Sequence, residues 1–300
     1  MVWLSWPVCL YRSQNVCGTV PAGRAARGRV VLSAHYDTQR AGWIWTINRH
    51  LNRLFVSLPL WLKPPMTSLA VLMAGQVVLG LMQMRVGNGV PIRILGWLLL
   101  AVYGVIAAVF AQYALGKPVP GAVDNASGVA AALELAEEWV ESRPTDQVEL
   151  VVVLTGCEES VLLGAAAWAD RHRKEVGRLP TVFLNLDSMA FGPPRFLGAE
   201  VPAIGAPIRC DRRVIEVCIG VAKELGLRDA GPHALPGPTD GFAFLSRGMR
   251  GVSIVSFEDG GVLPRYHTMA DGVSEMDFVA ARATVEFARR VCWKLASDWE

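Results

Sequence analysis

Two runs without a charged residue constrain this chain more than any other feature. Between Lys63 and Arg85 stand 21 residues, PPMTSLAVLMAGQVVLGLMQM, and between Arg93 and Lys117 stand 23, ILGWLLLAVYGVIAAVFAQYALG. As helices rising ~1.5 Å per residue, each would reach roughly 30 Å, the thickness of a hydrocarbon core. Helices buried in a soluble core are usually shorter and keep a polar face, which these runs lack. The intervening RVGNGVPIR reads as a short polar turn, and Trp97, Tyr103 and Tyr113 add aromatic character. The expected element is a transmembrane hairpin meeting the bilayer through residues 64–116 and returning both its ends to one side. Upstream, LFVSLPLWL (54–62) is too short to span and reads as an interfacial segment. Arg40, Arg49, Arg53, Lys63 and Lys117 flank the outer ends, against Arg85 and Arg93 at the turn. The positive-inside bias therefore leans toward a cytoplasmic location for the rest of a multi-pass chain.

Outside the hairpin, short apolar and β-branched runs alternate with helical periodicity. RVVLSA (29–34), VELVVVLTG (148–156), TVFLNLD (181–187) and GVSIVSFED (251–259) read as buried strands. Residues 126–143, 160–176 and 212–225 read as helices, and a last helix is expected from Ser274 as N-cap. Alternation of this kind predicts an α/β three-layer sandwich, with a mixed, largely parallel central sheet flanked by helices. Residues 1–53 and 118–300 would form one discontinuous domain, with 54–117 inserted into it. The Gly- and Pro-rich stretches 192–207 and 231–238 are expected as loops at the rim of a cleft. The opening MVWLSWPVCLY has no basic leader and runs abruptly into the first strand, as expected of a chain starting further upstream.

A net charge of +2 without basic blocks gives no argument for nucleic acid. The six cysteines show no CxxC and no regular spacing, which points to reduced thiols rather than a disulfide framework or thiolate zinc site. Cys157 reads as a small apolar filler at a strand end.

Five short segments carry the chemistry: SAHYDT with His35 and Asp37, GAVDNASG with Asp124, TGCEES with Glu158 and Glu159, LNLDSM with Asp187, and RYHTMAD with His267. Each has a dull reading alone. HxD is often a surface turn, DNASG an Asx turn capping a helix, and paired glutamates a solvated helix start. Asp187, closing an apolar run, fits that view least, because a buried carboxylate needs a partner. His50 and His172 read as solvated, whereas His233 could line the cleft. In α/β sheets ligands gather beyond the carboxyl ends of strands, and His35, Glu158, Glu159 and Asp187 all follow strands. Nitrogen and carboxylate ligands without cysteine suit catalytic zinc. One aspartate can bridge two ions, so five ligands suffice for a pair when Asp124 is shared. A metal-bound water then loses its proton near neutrality to an adjacent unligated carboxylate.

In order, spacing and local context these motifs resemble the M28 family of zinc peptidases, which also contains glutamate carboxypeptidases and glutaminyl cyclases. The resemblance covers nearly everything outside the hairpin. It implies two zinc ions, one held by His35 and Asp187, the other by Glu159 and His267, with Asp124 bridging. It also implies Glu158 as general base and then acid, delivering a zinc-bound hydroxide. Asp37 would orient the His35 imidazole by accepting its other N–H, and Tyr266 would hydrogen-bond the tetrahedral intermediate. A cis link is expected at Asp124–Asn125. The segment PTDGFAFLSRG precedes the last core strand, with Asp240 a structural or substrate-facing acid. The departure from soluble members is the hairpin, lodged in the 86 residues between Asp37 and Asp124, which would tether the active-site mouth near a bilayer. The expected function is a membrane-anchored aminopeptidase acting on peptides. The alternatives are a glutaminyl-cyclase-like or carboxypeptidase-like enzyme, and a non-catalytic membrane scaffold.

Overall fold

The computed structural model describes residues 12–54, 66–87, 89–202, 206–235, 237–258 and 265–299. The expectations for the first 11 residues and for nearly all of 54–62 lie outside this set. Two compact units emerge: Met1–Gln39 with Pro120–Tyr266 and Ala270–Glu300, and Arg40–Val119 with His267–Met269.

The first unit is built on a six-stranded sheet. Its strands are β1 (Val16–Val20), β2 (Gly28–His35), β3 (Val148–Thr155), β4 (Thr181–Asp187), β5 (Pro194–Phe196) and β8 (Arg250–Ser256). The order is β1-β3-β2-β4-β8-β5, and a separate pair, β6 (Ala199–Glu200) and β7 (Ile208–Arg209), lies outside it. The four inner strands run parallel, and the edge strands β1 and β5 are antiparallel to their neighbours. The sheet is therefore mixed and mostly parallel. Strands of this kind are buried on both faces, which is why the four central runs are mostly apolar, with no regular alternation of polar residues.

Alternate residues of β2 feed two cores. Val30, Leu32 and Ala34 pack with Ala131, Leu135 and Trp139 of α4 (Ser127–Ser142), Val214 and Cys218 of α6 (Arg212–Glu224), and Phe287 and Val291 of α8 (Phe278–Ser297). Val31 faces the other way, with Trp168 of α5 (Leu163–Val176) and Phe244 of α7 (Asp240–Leu245). Helices on both faces make the three layers. Phe183 of β4 is fully buried, with its ring 5.0 Å from that of Phe244. Phe183→Ala should cost about 3–5 kcal/mol, read as a lower urea midpoint.

Local differences from expectation have identifiable causes. The last helix starts at Phe278, because the Asp277 carboxylate accepts the N–H groups of Val279 and Ala280; Ser274 lies in a separate single turn, Val273–Glu275. The helix expected from residue 160 starts at Leu163, since Val161 and Leu162 are left-handed, at φ 70° and 60°. The strand expected over 251–259 ends at Ser256. His172 is half-buried rather than solvated, stacked on the Trp168 ring at 4.5 Å.

The second unit comprises α1 (Trp43–Leu54), α2 (Met66–Val86) and α3 (Val90–Ala114). Tyr103 donates its hydroxyl to the Leu72 carbonyl at 3.1 Å, and Gly96 lies opposite Leu79, so α2 and α3 run antiparallel. No residue of α3 is buried. Among the described residues, α3 alone is long and apolar enough to cross a membrane; in α2 the apolar helical stretch is the shorter Leu72–Val86.

Candidate metal centre

Register brings the first group of candidate residues together. Ser33 pairs with Asn185 across β2 and β4, so two residues further along His35 and Asp187 stand level at the carboxyl ends of adjacent parallel strands. The His35 Nε2 is 3.1 Å from Asp124 Oδ1 and 3.9 Å from Asp187 Oδ1. One donor atom from each of these three residues lies within 4.8 Å of the others.

Asp124 reaches this point on a loop held at several places. The Asp124–Asn125 peptide is cis. The Asn125 Oδ1 accepts from Gly128 N and Ser188 N at 3.0 and 3.1 Å, while its Nδ2 donates to the Leu186 carbonyl at 2.9 Å. The side chain that turns this loop into α4 is thus Asn125, which also fastens it to the end of β4. Gly128 is required by close approach: a Cβ there would stand 2.4 Å from the Leu186 carbonyl oxygen. From the opposite side Asp271 accepts both Val123 N at 2.8 Å and Asp124 N at 3.2 Å. Asp271 was not singled out from the sequence, although it ends the RYHTMAD segment; a carboxylate bonding to main chain leaves no spacing signature.

Asp37 does something other than expected. The His35 Nδ1 bonds the main-chain carbonyl of Asp37 at 3.0 Å, and the Asp37 carboxylate is 3.8 Å away. That carboxylate instead accepts the N–H groups of Glu158 and Glu159, at 3.0 and 3.2 Å. It therefore fixes the backbone of the acidic loop beyond β3. The carbonyl at Nδ1 keeps a proton on that nitrogen and orients the ring, which leaves Nε2 directed at Asp124 and Asp187.

Glu159 accepts from the Gln39 amide at 2.9 Å, and one of its carboxylate oxygens lies within 4.8 Å of one on Asp124. Asp240 is fully buried and accepts a short hydrogen bond from Thr155, the last residue of β3. Tyr266 is 42% exposed and lines a recess with Val123, Asp124, Phe191 and Asp271, at whose edge Arg265 pairs with Glu275. His267 is buried, has a left-handed backbone (φ 57°) and belongs with the second unit, where its ring meets Trp45 edge-on at 4.2 Å. His233 is half-buried and bonds the Asp229 carbonyl at 2.8 Å, and His50 is exposed.

The electrostatics of the cluster call for a cation. Burial pushes Asp187 up to about 7 despite the nearby His35, with Asp124 and Asp240 adding to the rise. Burial likewise raises Glu158 well above the usual carboxylate range, opposed by His35 and reinforced by Asp240, Glu159 and Asp187. Burial alone would lower His35, yet Asp124, Glu158 and Asp187 hold it well above its ordinary value. Acids crowded out of water around one imidazole cannot all ionise cheaply; a divalent ion relieves that repulsion. An N,O donor set without thiolate fits zinc.

A family model described as peptidase family M28 matches residues 107–292, more than half of the chain. A vacuolar membrane protease from Schizosaccharomyces japonicus is 39% identical over 72 residues, 24% of this chain and 8% of that protein. Among solved structures, a zinc aminopeptidase from Bacillus subtilis aligns with a TM-score of 0.55 at 16% identity, over 94% of this chain and 49% of that one. A glutaminyl cyclase from Bacteroides thetaiotaomicron aligns with a TM-score of 0.55 at 15% identity, over 93% and 76%. The chain thus spans about half the length of the aminopeptidase and under a tenth of the vacuolar protease.

Proposed function

The chain belongs to peptidase family M28, and from that premise we propose that it is a membrane-anchored dinuclear zinc aminopeptidase. The observation that carries the reading is the meeting of His35, Asp124 and Asp187 at the sheet's carboxyl edge. In this proposal His35 and Asp187 hold one zinc, Glu159 and His267 the other, and Asp124 belongs to both. Bound zinc would supply a Lewis acid that polarises the scissile carbonyl and acidifies a water.

The chain's own groups do the rest. Glu158, its carboxyl raised well above the usual carboxylate range by burial, takes the proton of the attacking water and returns it to the leaving amine. Asp37 keeps that glutamate in place through its backbone N–H. The hydroxyl of Tyr266, beside Asp124 in the recess, donates to the oxyanion of the tetrahedral intermediate. A carboxylate near the cleft receives the free amine of the substrate.

The membrane part rests on α3 and on the relative's name, which speaks of a membrane protease. We take 54–117 as the inserted membrane element, with α2 as the second leg of a hairpin. The charges flanking it support a cytoplasmic side for the catalytic domain in this reading. By chain connectivity Arg40–Val119, which contains this element, begins five residues after His35 and ends five before Asp124, which ties the proposed active site to the anchor.

The test is a matched peptide pair with free and acetylated N-termini, offered to the full chain in nanodiscs. Cleavage of the free peptide alone, abolished by a chelator and restored by zinc, is expected. Equal cleavage of both would contradict aminopeptidase action. An N-terminal glutamine peptide in the same assay separates the second reading: a cyclase releases ammonia and leaves the chain length unchanged.

A further inference from the structure

Helix α1 divides into two faces. Ile44, Trp45, Asn48 and Leu51 are half-buried, whereas Trp43, Thr46, Ile47 and His50, at i, i+3, i+4 and i+7, are exposed along one stripe. Trp43 is 64% and Ile47 45% exposed, large apolar surface to leave in water on a short helix. The helix contains no acidic residue, and its sequence WIWTINRHLNRL carries Arg49, His50 and Arg53.

Where this helix sits relative to α3 identifies what covers the stripe. The start of α1 is fastened to the carboxyl end of α3: Trp43 N–H donates to the Gln112 side chain at 2.9 Å, and the rings of Trp45 and Tyr113 meet edge-on at 5.9 Å. The preceding residues reach just beyond α3, with Arg40 donating to the Gly116 carbonyl at 2.7 Å and Ala41 N–H to that of Lys117 at 2.9 Å. At ~1.5 Å per residue, the 25 residues of α3 are longer than a hydrocarbon core of about 30 Å. The end of α3 that holds α1 therefore reaches the polar boundary, the zone where Trp and Tyr rings are favoured and bases meet headgroup phosphates.

We propose that α1 is an interfacial helix whose Trp43/Ile47 face lies in the headgroup layer of a phospholipid bilayer. The proposal rests on the reading of α3 as membrane-spanning. It has a consequence for the site, because Trp45 on the inward face packs on His267. Seating of α1 on lipid thereby steadies a residue assigned to the second zinc.

The test places nitroxide labels by Ile47→Cys, Leu98→Cys and Glu216→Cys, each in the full chain with Cys9, Cys17 and Cys157 replaced by Ser. The protein is set in nanodiscs of mixed phosphatidylcholine and phosphatidylglycerol. Relative collision with oxygen over a soluble nickel chelate reports depth. The expected order is highest at 98, intermediate at 47 and lowest at 216. A label at 47 as open to nickel as the one at 216, with 98 still deep, overturns the interfacial helix and leaves the spanning helix standing. Labels at 47 and 98 both open to nickel overturn the membrane reading itself, and the inference with it.

Discussion

Glu158→Gln is expected to lower kcat by about 10²–10⁴-fold, the range supplied by a positioned general acid–base group. Zinc content should be unchanged, because Glu158 is not among the proposed ligands. The amide keeps the shape of the side chain and loses only the ability to take and return a proton. KM should therefore move little, the pattern of an interaction made in the transition state and not in the ground state. Burial and three neighbouring acids disfavour the charge of Glu158 and raise its pKa, which favours holding a proton once one is taken. Kinetics paired with elemental analysis make the check. Wild-type turnover in the variant removes Glu158 from the mechanism, and loss of zinc would reassign it as a ligand.

The second large effect is expected at Asp271, which no pattern in the sequence identified. Its carboxylate accepts two successive main-chain N–H groups, those of Val123 and Asp124, and its carbonyl takes a third from Ala122. Asp271→Ala strips the first two of their acceptor beside a buried aspartate, at about 1–3 kcal/mol for each group left unsatisfied. Groups that orient a metal ligand typically matter 10–100-fold in metal affinity. Zinc affinity measured by chelator competition should fall by about that factor. Asp271→Asn, which retains one acceptor oxygen, should fall between the two. Unchanged zinc affinity in the alanine variant would mean that the Asp124 loop is fixed without Asp271.

The contrast between these two residues indicates what a sequence of this kind discloses. The four inner strands were legible because burial on both faces leaves continuous apolar, β-branched runs such as RVVLSA and TVFLNLD. Their parallel order then places His35 and Asp187 at one edge without further information. The edge strand β1 was not legible: VCGTV is short, mostly exposed and interrupted by glycine, so it carries neither alternation nor a full run. Hydrogen bonds from side chain to main chain were equally silent. Asp37 stood two residues from His35 and was assigned to its imidazole, yet its carboxylate serves the acidic loop and its carbonyl serves the ring. Asp277 outcompetes Ser274 as the cap of α8 for a reason visible only in three dimensions, the position of the preceding turn. The amphipathic α1 leaves little trace in the sequence because the two long uncharged runs after it dominate the local composition.

In the proposed centre, one histidine and one aspartate from adjacent strands, a shared aspartate, and a glutamate and histidine from later loops bind a pair of zinc ions. Diffraction from zinc-loaded crystals on either side of the zinc absorption edge measures this directly. Two anomalous peaks about 3.5–4 Å apart are expected, the usual separation of a dinuclear hydrolase site. Asp124 should lie between them, with His35 and Asp187 on one ion and Glu159 and His267 on the other. A single peak, or a pair in which Asp124 touches only one ion, would contradict the account.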